Sequence, residues 1–325
     1  MIEIASKGHF LTQIEQPVHN SSLMTALASS PRTMQSLPVL FTGQNEMHSR
    51  LHLREWQLSL SRTAIADYSK IIKSFPNFEL TVEPAEIRLG EVIGILGANA
   101  LGKTTFLKIL AELEAPSSGR VNLSAKVAYK PQYLSADSDV DVLTYLRSVS
   151  KSIDTGLFQG QLVTPLKLNK LFEKSVKTLS GGELQKVAIV ATLLQDATIY
   201  AFDEPSAFID VEDRIILAKA IQRFVRSMGK TALVIDHDIQ LVDIVADSLM
   251  IFSGEPGRSG HASKPLGKTE GMNAFLHELG ITYRRDITTG RPRVNKPESK
   301  LDRIQKQDGK YYYVGKIAAT SEAKE

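Results

Sequence analysis

The chain of 325 residues contains no cysteine and one tryptophan, and aromatics make up only 7% of it. Without thiols it forms no disulfide, no thiolate metal site and no iron–sulfur cluster of its own, a composition that fits a reducing compartment. Long apolar runs are missing too. Stretches such as Val187–Leu194 stop far short of the roughly 20 residues that a membrane-spanning helix needs. The N-terminal MIEIASKGHF lacks the charged-then-apolar layout of a secretory leader. These absences predict a soluble, cytoplasmic protein with no direct membrane insertion.

Hydrophobic residues at 42% and charged residues at 23% give the balance of a globular protein with a real core. The net charge of +3 conceals an asymmetry. Between Arg284 and Lys316 ten Lys/Arg stand against four acids, a net of +6, which leaves −3 for the rest. A basic tail on a slightly acidic body suggests a polyanionic partner, nucleic acid first, or else simply a solvated tail.

Residues 1–50 show little periodicity and are rich in Ser, Thr, Asn and Gln, so little order is expected there. From Leu51 the pattern changes. LHLREWQLSL alternates like a strand, as does Phe78–Ile87, and Glu91–Leu96 reads as a short buried strand. Thr104–Glu112 follows as a helix, with Phe106, Leu107 and Leu110 on one face. Further on, the apolar strands Ile199–Phe202 and Thr231–Ile235 alternate with the helical periods Glu183–Leu194 and Val211–Arg226. Strands alternating with helices indicate a mainly parallel sheet with its functional loops at the strands' carboxyl ends. The Gly/Pro-rich Ser253–Gly260 closes this unit. The expected organisation is therefore an irregular segment over 1–50, a catalytic domain over 51–260 and a basic extension over 261–325.

Gly97-Ala98-Asn99-Ala100-Leu101-Gly102-Lys103-Thr104 fits the G-x-x-x-x-G-K-[ST] pattern between an apolar strand and a helix. Glycines let the backbone curl so that successive N–H groups, among them those of Gly97, Asn99, Gly102 and Thr105, turn toward phosphate oxygens. Lys103 would reach the β- and γ-phosphates of ATP, and Thr104 would offer its hydroxyl to Mg²⁺. The helix N-terminus adds partial positive charge. A chance glycine-rich turn is the plain alternative, and the flanking strand and helix argue against it. Such a loop needs an acid for the metal and a group for water. Asp203 and Glu204, which end the apolar run from Ile199, supply both.

Leu179-Ser180-Gly181-Gly182-Glu183-Leu184-Gln185 makes a second anion-binding helix start. Two phosphate loops make sense if this one closes over a nucleotide held by another domain. LSGGELQ resembles the signature motif of the ABC ATPases, and the other marks of that family fall in order. Gln132 in KPQY is similar to the Q-loop glutamine, which contacts Mg²⁺ and water. Ser206-Ala207-Phe208-Ile209-Asp210 is similar to the D-loop of the dimer interface. His237 in IDHD is similar to the switch histidine on the γ-phosphate. The resemblance implies a P-loop NTPase of the ABC type: an α/β domain whose mainly parallel sheet carries an antiparallel β edge and a helical subdomain. It further implies ATP and Mg²⁺ as ligands and an adenine-stacking aromatic, for which Tyr68 is the choice and Phe75 the runner-up. Ser180, Gly181 and Gly182 would serve the nucleotide of a second ABC domain, in a homodimer or on a separate chain. One residue departs from the pattern. The family usually has glycine where this chain has Ala100. If that position needs φ > 0, alanine costs about 1 kcal/mol, which would weaken nucleotide binding without abolishing it.

SAFID and Phe252–Gly260 are similar to the E subfamily, the RNase L inhibitor or Rli proteins, which split ribosomes for recycling. The tail is more specific. GMNAFL (Gly271–Leu276), ITYRRD (Ile281–Asp286), GRPRVNK (Gly290–Lys296), DRIQK (Asp302–Lys306) and Tyr311-Tyr312 resemble the hinge that follows the second nucleotide-binding domain there. The resemblance covers roughly residues 64–314 and implies a ribosomal subunit or rRNA as partner. That subfamily also carries iron–sulfur clusters and a first nucleotide-binding domain. This sequence shows no cysteine and one P-loop, so a split half, a homodimeric paralogue and a truncated product all stay open. So do two other functions: a transporter's ATPase subunit, which leaves the basic tail without a role, and a non-catalytic regulatory domain.

Overall fold

The computed structural model describes residues 63–132, 139–285 and 292–313. The segment expected to be irregular and the alternating run at 51–60 lie outside these residues. The chain opens with strands β1 (Ala64–Tyr68), β2 (Ile71–Phe75), β3 (Phe78–Val82), β4 (Ala85–Arg88) and β5 (Val92–Gly97). The single run expected over Phe78–Ile87 is thus two strands. Pro84, which has no N–H to donate, sits at the break. After β5 comes helix α1 (Lys103–Leu110), then β6 (Val121–Leu123) and β7 (Val127–Lys130). A helical stretch follows, with α2 (Val142–Val149), several single turns and α3 (Gly181–Leu193). The remainder alternates: β8 (Ile199–Asp203), α4 (Val211–Ser227), β9 (Thr231–Ile235), α5 (Ile239–Val245), β10 (Ser248–Glu255), β11 (Ser259–Ala262) and β12 (Leu266–Gly267).

The large sheet runs β2-β3-β11-β10-β5-β9-β8-β7, with β12 on β10. Its central pairs β10–β5, β5–β9, β9–β8 and β8–β7 are parallel. The β2–β3 and β10–β11 pairs supply the antiparallel edge. A three-stranded antiparallel sheet, β4-β1-β6, lies alongside. This is the α/β architecture expected, helical subdomain included.

The central strands are mostly apolar because both faces of the sheet are covered. Along β5, Val92 and Leu96 join one core cluster while Ile93 and Ile95 join the other. In β8, Tyr200 and Phe202 divide from Ile199 and Ala201 in the same way. Phe106 and Leu107 of α1 cover one face, and α3, α4 and α5 cover the other. Since β5, β9 and β8 are parallel neighbours, the loops that leave their carboxyl ends emerge side by side.

The C-terminal stretch folds back onto the body. Helix α6 (Lys268–Leu279) packs on β10, and β13 (Tyr283–Arg285), β14 (Pro292–Val294) and β15 (Tyr312–Tyr313) form a small sheet with α7 (Lys300–Gln307). Tyr283 and Tyr312 are buried in the same cluster as α5. A polar network fixes the unit. The Thr282 hydroxyl donates to Asp302 at 2.6 Å, Asn295 donates to Thr282 Oγ1 at 2.9 Å, and Asn295 also bonds Gln305. The tie to the body is Asp243, fully buried in α5. It accepts from the Tyr312 hydroxyl at 2.6 Å and lies 3.3 Å from Lys268 Nζ, which also bonds its backbone carbonyl.

A buried carboxylate that loses one of its donors is costly to the fold. Tyr312→Phe is expected to lower unfolding free energy by about 1–3 kcal/mol, read as a shift of the urea midpoint at unchanged slope.

Candidate nucleotide site

Strand β5 ends at Gly97 because the chain must turn there beside Phe252. A Cβ on Gly97 would lie 2.4 Å from the Phe252 carbonyl oxygen, and its φ is 151°. The loop then runs through Ala100 at φ 60° and Gly102 at φ 89° into α1. Ala100 therefore holds the left-handed conformation that its departure from glycine put in question, at a cost of about 1 kcal/mol. Its carbonyl accepts from the N–H of Gly257, in the β10–β11 turn, at 3.0 Å. Lys103 is buried and folds over the loop, donating to the carbonyls of Gly97 and Ala98 at 2.7 and 2.6 Å. Burial lowers its pKa, while the nearby Glu204 and Asp203 oppose that shift.

Asn99–Thr105, Gln132, Asp203, Glu204, Ile235 and His237 line one cleft of about 290 Å³. Asp203, at the buried end of β8, has its pKa raised by burial. Tyr129 donates to its Oδ2 at 3.3 Å, whereas Oδ1 is buried without a hydrogen-bond partner. A buried carboxylate that shares the phosphate-loop cleft with Gln132 and with Thr104, whose side chain bonds it, suits Mg²⁺. This ion takes one or two carboxylates and completes its shell with phosphate and water. Glu204 follows in the left-handed region, φ 47°, and its Oε1 lies 3.1 Å from His237 Nε2.

Sequence reasoning missed three residues that hold this turn. Lys130 ends β7 fully buried, donating to the carbonyls of Asp203 at 2.9 Å and Pro131 at 3.0 Å. Burial brings its pKa down to about 8, against the pull of Asp203, Asp236 and Glu204. Asp236, also buried, accepts from the Ser206 N–H at 3.0 Å, the Ser206 hydroxyl at 2.7 Å and the Asp238 N–H at 2.8 Å. Gln185 donates to the Glu204 carbonyl at 2.7 Å. The cues in the sequence were a lysine closing an apolar strand, an aspartate before the histidine and the last residue of the LSGGELQ motif.

Ser180, Gly181 and Gly182 lie outside the cleft lining. Ser180 caps α3 in a reciprocal box. Glu183 N–H donates to Ser180 Oγ at 3.4 Å, and Ser180 N–H donates to Glu183 Oε2 at 2.9 Å. Glu183 also receives Lys174 at 2.8 Å. Gly182 abuts the Phe208 carbonyl, 2.6 Å from where a Cβ would stand, while Phe208 itself is 79% exposed at φ 61°.

Tyr68 requires a correction. It is only 3% exposed, packed edge-on against Phe106 at 5.6 Å with its hydroxyl toward Met250. Strand β1 is held between β4 and β6, and that pairing turns Tyr68 inward, so no base can stack on it. The runner-up, Phe75, is 41% exposed at the end of β2. Its ring centroid is 6.4 Å from that of Phe78, whose tip stands 3.1 Å from a Cβ built on Gly102. The aromatic surface at the edge of the phosphate loop is therefore Phe75 and Phe78.

The parallel sheet, phosphate loop, helical subdomain and antiparallel edge together define an ABC-type nucleotide-binding fold. Comparison with known proteins agrees. The family model described as ABC transporter matches residues 84–207. An uncharacterized ABC transporter ATP-binding protein of Methanocaldococcus jannaschii is 47% identical over 78% of this chain and 42% of its own length. Translation initiation factor RLI1 of Chaetomium thermophilum is 38% identical over 76% of this chain and 41% of its own. ABC transporter E family member 3 of Arabidopsis thaliana is 37% identical over half of this chain, a match that spans 93% of that protein. Of the solved structures, RNase-L Inhibitor superposes with a TM-score of 0.76 at 48% identity, over 80% of this chain and 50% of that one. A complex of the archaeal ribosomal stalk protein aP1 with the archaeal ribosome recycling factor aABCE1 gives 0.75 at 49%, over 78% and 49%. The chain belongs to the E family of ABC proteins. It spans about two fifths of the length of the first two relatives.

Two measurements probe this geometry. Ala100→Gly, which relieves a left-handed alanine, is expected to raise unfolding free energy by about 1 kcal/mol, read by urea denaturation. The pKa of Glu183 is lowered from 4.5 to about 2, first by Lys174 and then by the Ser180 N–H. Because the folded value lies below the unfolded one, its contribution is full above pH 4.5 and disappears as the pH falls toward 2. Thermal midpoints measured across that window should therefore fall more steeply for the native chain than for Glu183→Gln.

Proposed function

We propose that this chain binds Mg·ATP and hydrolyses it, as one of a pair of ABC domains acting in ribosome recycling. The observation that carries the reading is the single cleft in which the unpartnered Asp203 Oδ1 and the Glu204–His237 pair meet the phosphate loop. Thr104, Asp203 and Gln132 would hold Mg²⁺, whose charge would offset that of the phosphates. Lys103 and the N–H groups of Gly97–Thr105 would cradle the β- and γ-phosphates, and Phe75 would offer its face to adenine. Glu204 would polarise a water toward the γ-phosphorus. The new P–O bond forms as the bond to the β–γ bridging oxygen breaks, and His237 holds the Glu204 carboxylate in line. Catalysis of this kind is mostly positioning and charge placement.

Ser180, Gly181 and Gly182 would serve the nucleotide of a second ABC domain, in a homodimer or on a separate chain. The exposed Phe208 next to them would lie in that interface. Residues 51–260 would act as the nucleotide-binding domain and 261–325 as a hinge-like extension. Arg293, Lys296, Lys300, Arg303 and Lys310 of that extension suit phosphate backbones. The translation and ribosome-recycling roles named for relatives support a ribosomal subunit or its RNA as partner, and with it a cytoplasmic setting. Among the described residues no helix is long and apolar enough to cross a membrane.

Glu204→Gln should keep ATP affinity within a few-fold and cut turnover by about 10²-fold or more, by fluorescent-nucleotide titration and phosphate release. Turnover at the native rate would overturn the assignment. Light scattering of the same variant with Mg·ATP reads the partner. Doubled mass means a homodimer, and a monomer that binds ATP means a separate second domain.

A further inference from the structure

Glu204 keeps a backbone conformation that a residue with a side chain holds only where its surroundings impose it. Four contacts impose it here. The Glu204 N–H donates to the Ile235 carbonyl at 2.9 Å, Lys130 grips the Asp203 carbonyl, Asp236 grips Ser206, and Gln185 grips the carbonyl of Glu204 itself. The first three come from β9, β7 and the histidine turn, which adjoin this chain's own cleft. The fourth has a different origin.

Gln185 sits in the second turn of α3, the helix that begins at Ser180 and whose first residues take no part in that cleft. It is 1% exposed, and its amide nitrogen reaches across the core to the one peptide oxygen adjacent to the Glu204 side chain. Gly182, one turn earlier, packs directly on the 206–210 loop: a Cβ there would stand 2.6 Å from the Phe208 carbonyl oxygen. A helix is stiff over so short a span, about 1.5 Å per residue. Any displacement imposed at Ser180–Gly182 therefore arrives at Gln185 almost undiminished.

The geometry assigns Gln185 as a positioning residue, a rigid link that carries the placement of the Ser180–Gly182 helix start to the peptide that aims Glu204. This rests on the function proposed above, in which that helix start faces the partner domain's nucleotide. Closure over the second nucleotide would then be felt at the water-polarising carboxylate of the first. Without the bond, Glu204 is free to relax toward an ordinary φ, and its carboxylate leaves His237.

The test uses Gln185→Met, which matches the side chain's length but cannot donate, beside the native chain and Glu204→Gln. The expected result is a fall in kcat on the order of 10- to 100-fold, with KM and fluorescent-ATP affinity within about threefold. In the Glu204→Gln background the same change should have no further effect on the residual rate, because Gln185 acts through Glu204. Retention of kcat within about twofold, a parallel worsening of kcat and affinity, or additive losses in the double variant overturns the proposal. If Gln185→Met does not fold, Gln185→Ala, which leaves room for a water on the Glu204 oxygen, must show the same split or the proposal falls. A native chain without turnover, or an active Glu204→Gln, removes the underlying function and this link with it. Where those two controls behave, the Gln185 variants alone decide.

Discussion

Strand β9 lies hydrogen-bonded between β5 and β8, in register from Val92 to Ile95 on one side and from Ile199 to Asp203 on the other. Three loops that are far apart in the chain are made neighbours by this pairing. The phosphate loop leaves β5, the Asp203–Glu204 pair leaves β8, and His237 leaves β9. All three strands are parallel, so their carboxyl ends share one edge. The pairing itself depends on apolar side chains on both faces of each strand, because a parallel sheet of this kind is stable only when it is covered twice. Helix α1 covers one side, with α3, α4 and α5 on the other. The site is a consequence of how the core is layered.

Burial at that edge sets the electrostatics. Burial raises the pKa of Asp203 and Asp236 and lowers those of Lys103 and Lys130, so it drives both sets toward their neutral forms. Neither set would be tolerable alone in so dry a place. Together they compensate. Lys130 sits behind the carboxylates with its ammonium on the Asp203 carbonyl, and the Asp236 carboxylate is satisfied by three donors. The oxygen left over is Asp203 Oδ1, on a residue that lines the cleft together with the phosphate loop. In the same cleft Glu204 Oε1 lies 3.1 Å from His237 Nε2.

The C-terminal extension illustrates why charge counting is a poor guide to structure. Its sequence reads as a basic tail, yet Tyr283 and Tyr312 continue the main core, and Thr282, Asn295, Asp302 and Gln305 satisfy one another within it. The link runs to Asp243, six residues past His237, so the extension is anchored on the helix that follows the histidine turn. The basic residues decorate this unit. Its fold comes from the tyrosines and the polar network.

Features written in consecutive residues were legible from the sequence alone. The phosphate loop, Asp203-Glu204 at a strand end and the Ser180-Gly181-Gly182 helix start each need only a strand, a turn and a helix start. Those local preferences act within a few residues. The sequence also determined that the central strands would be buried on both faces, since they carry no polar alternation. What it did not determine was which strands lie together and which way the edge strands turn. Tyr68 and Phe75 are both aromatic and both sit on short strands. Only the pairing of β1 with β4 and β6 buries the first, and only the β2–β3 hairpin leaves the second open beside Phe78. Lys130, Gln185 and Asp236 meet their partners across 73, 19 and 30 residues of chain. Bonds of that span carry no local signature, because the chain must first close the loops between them and bury both ends. The tertiary structure, through that burial, decided how Glu204 is held.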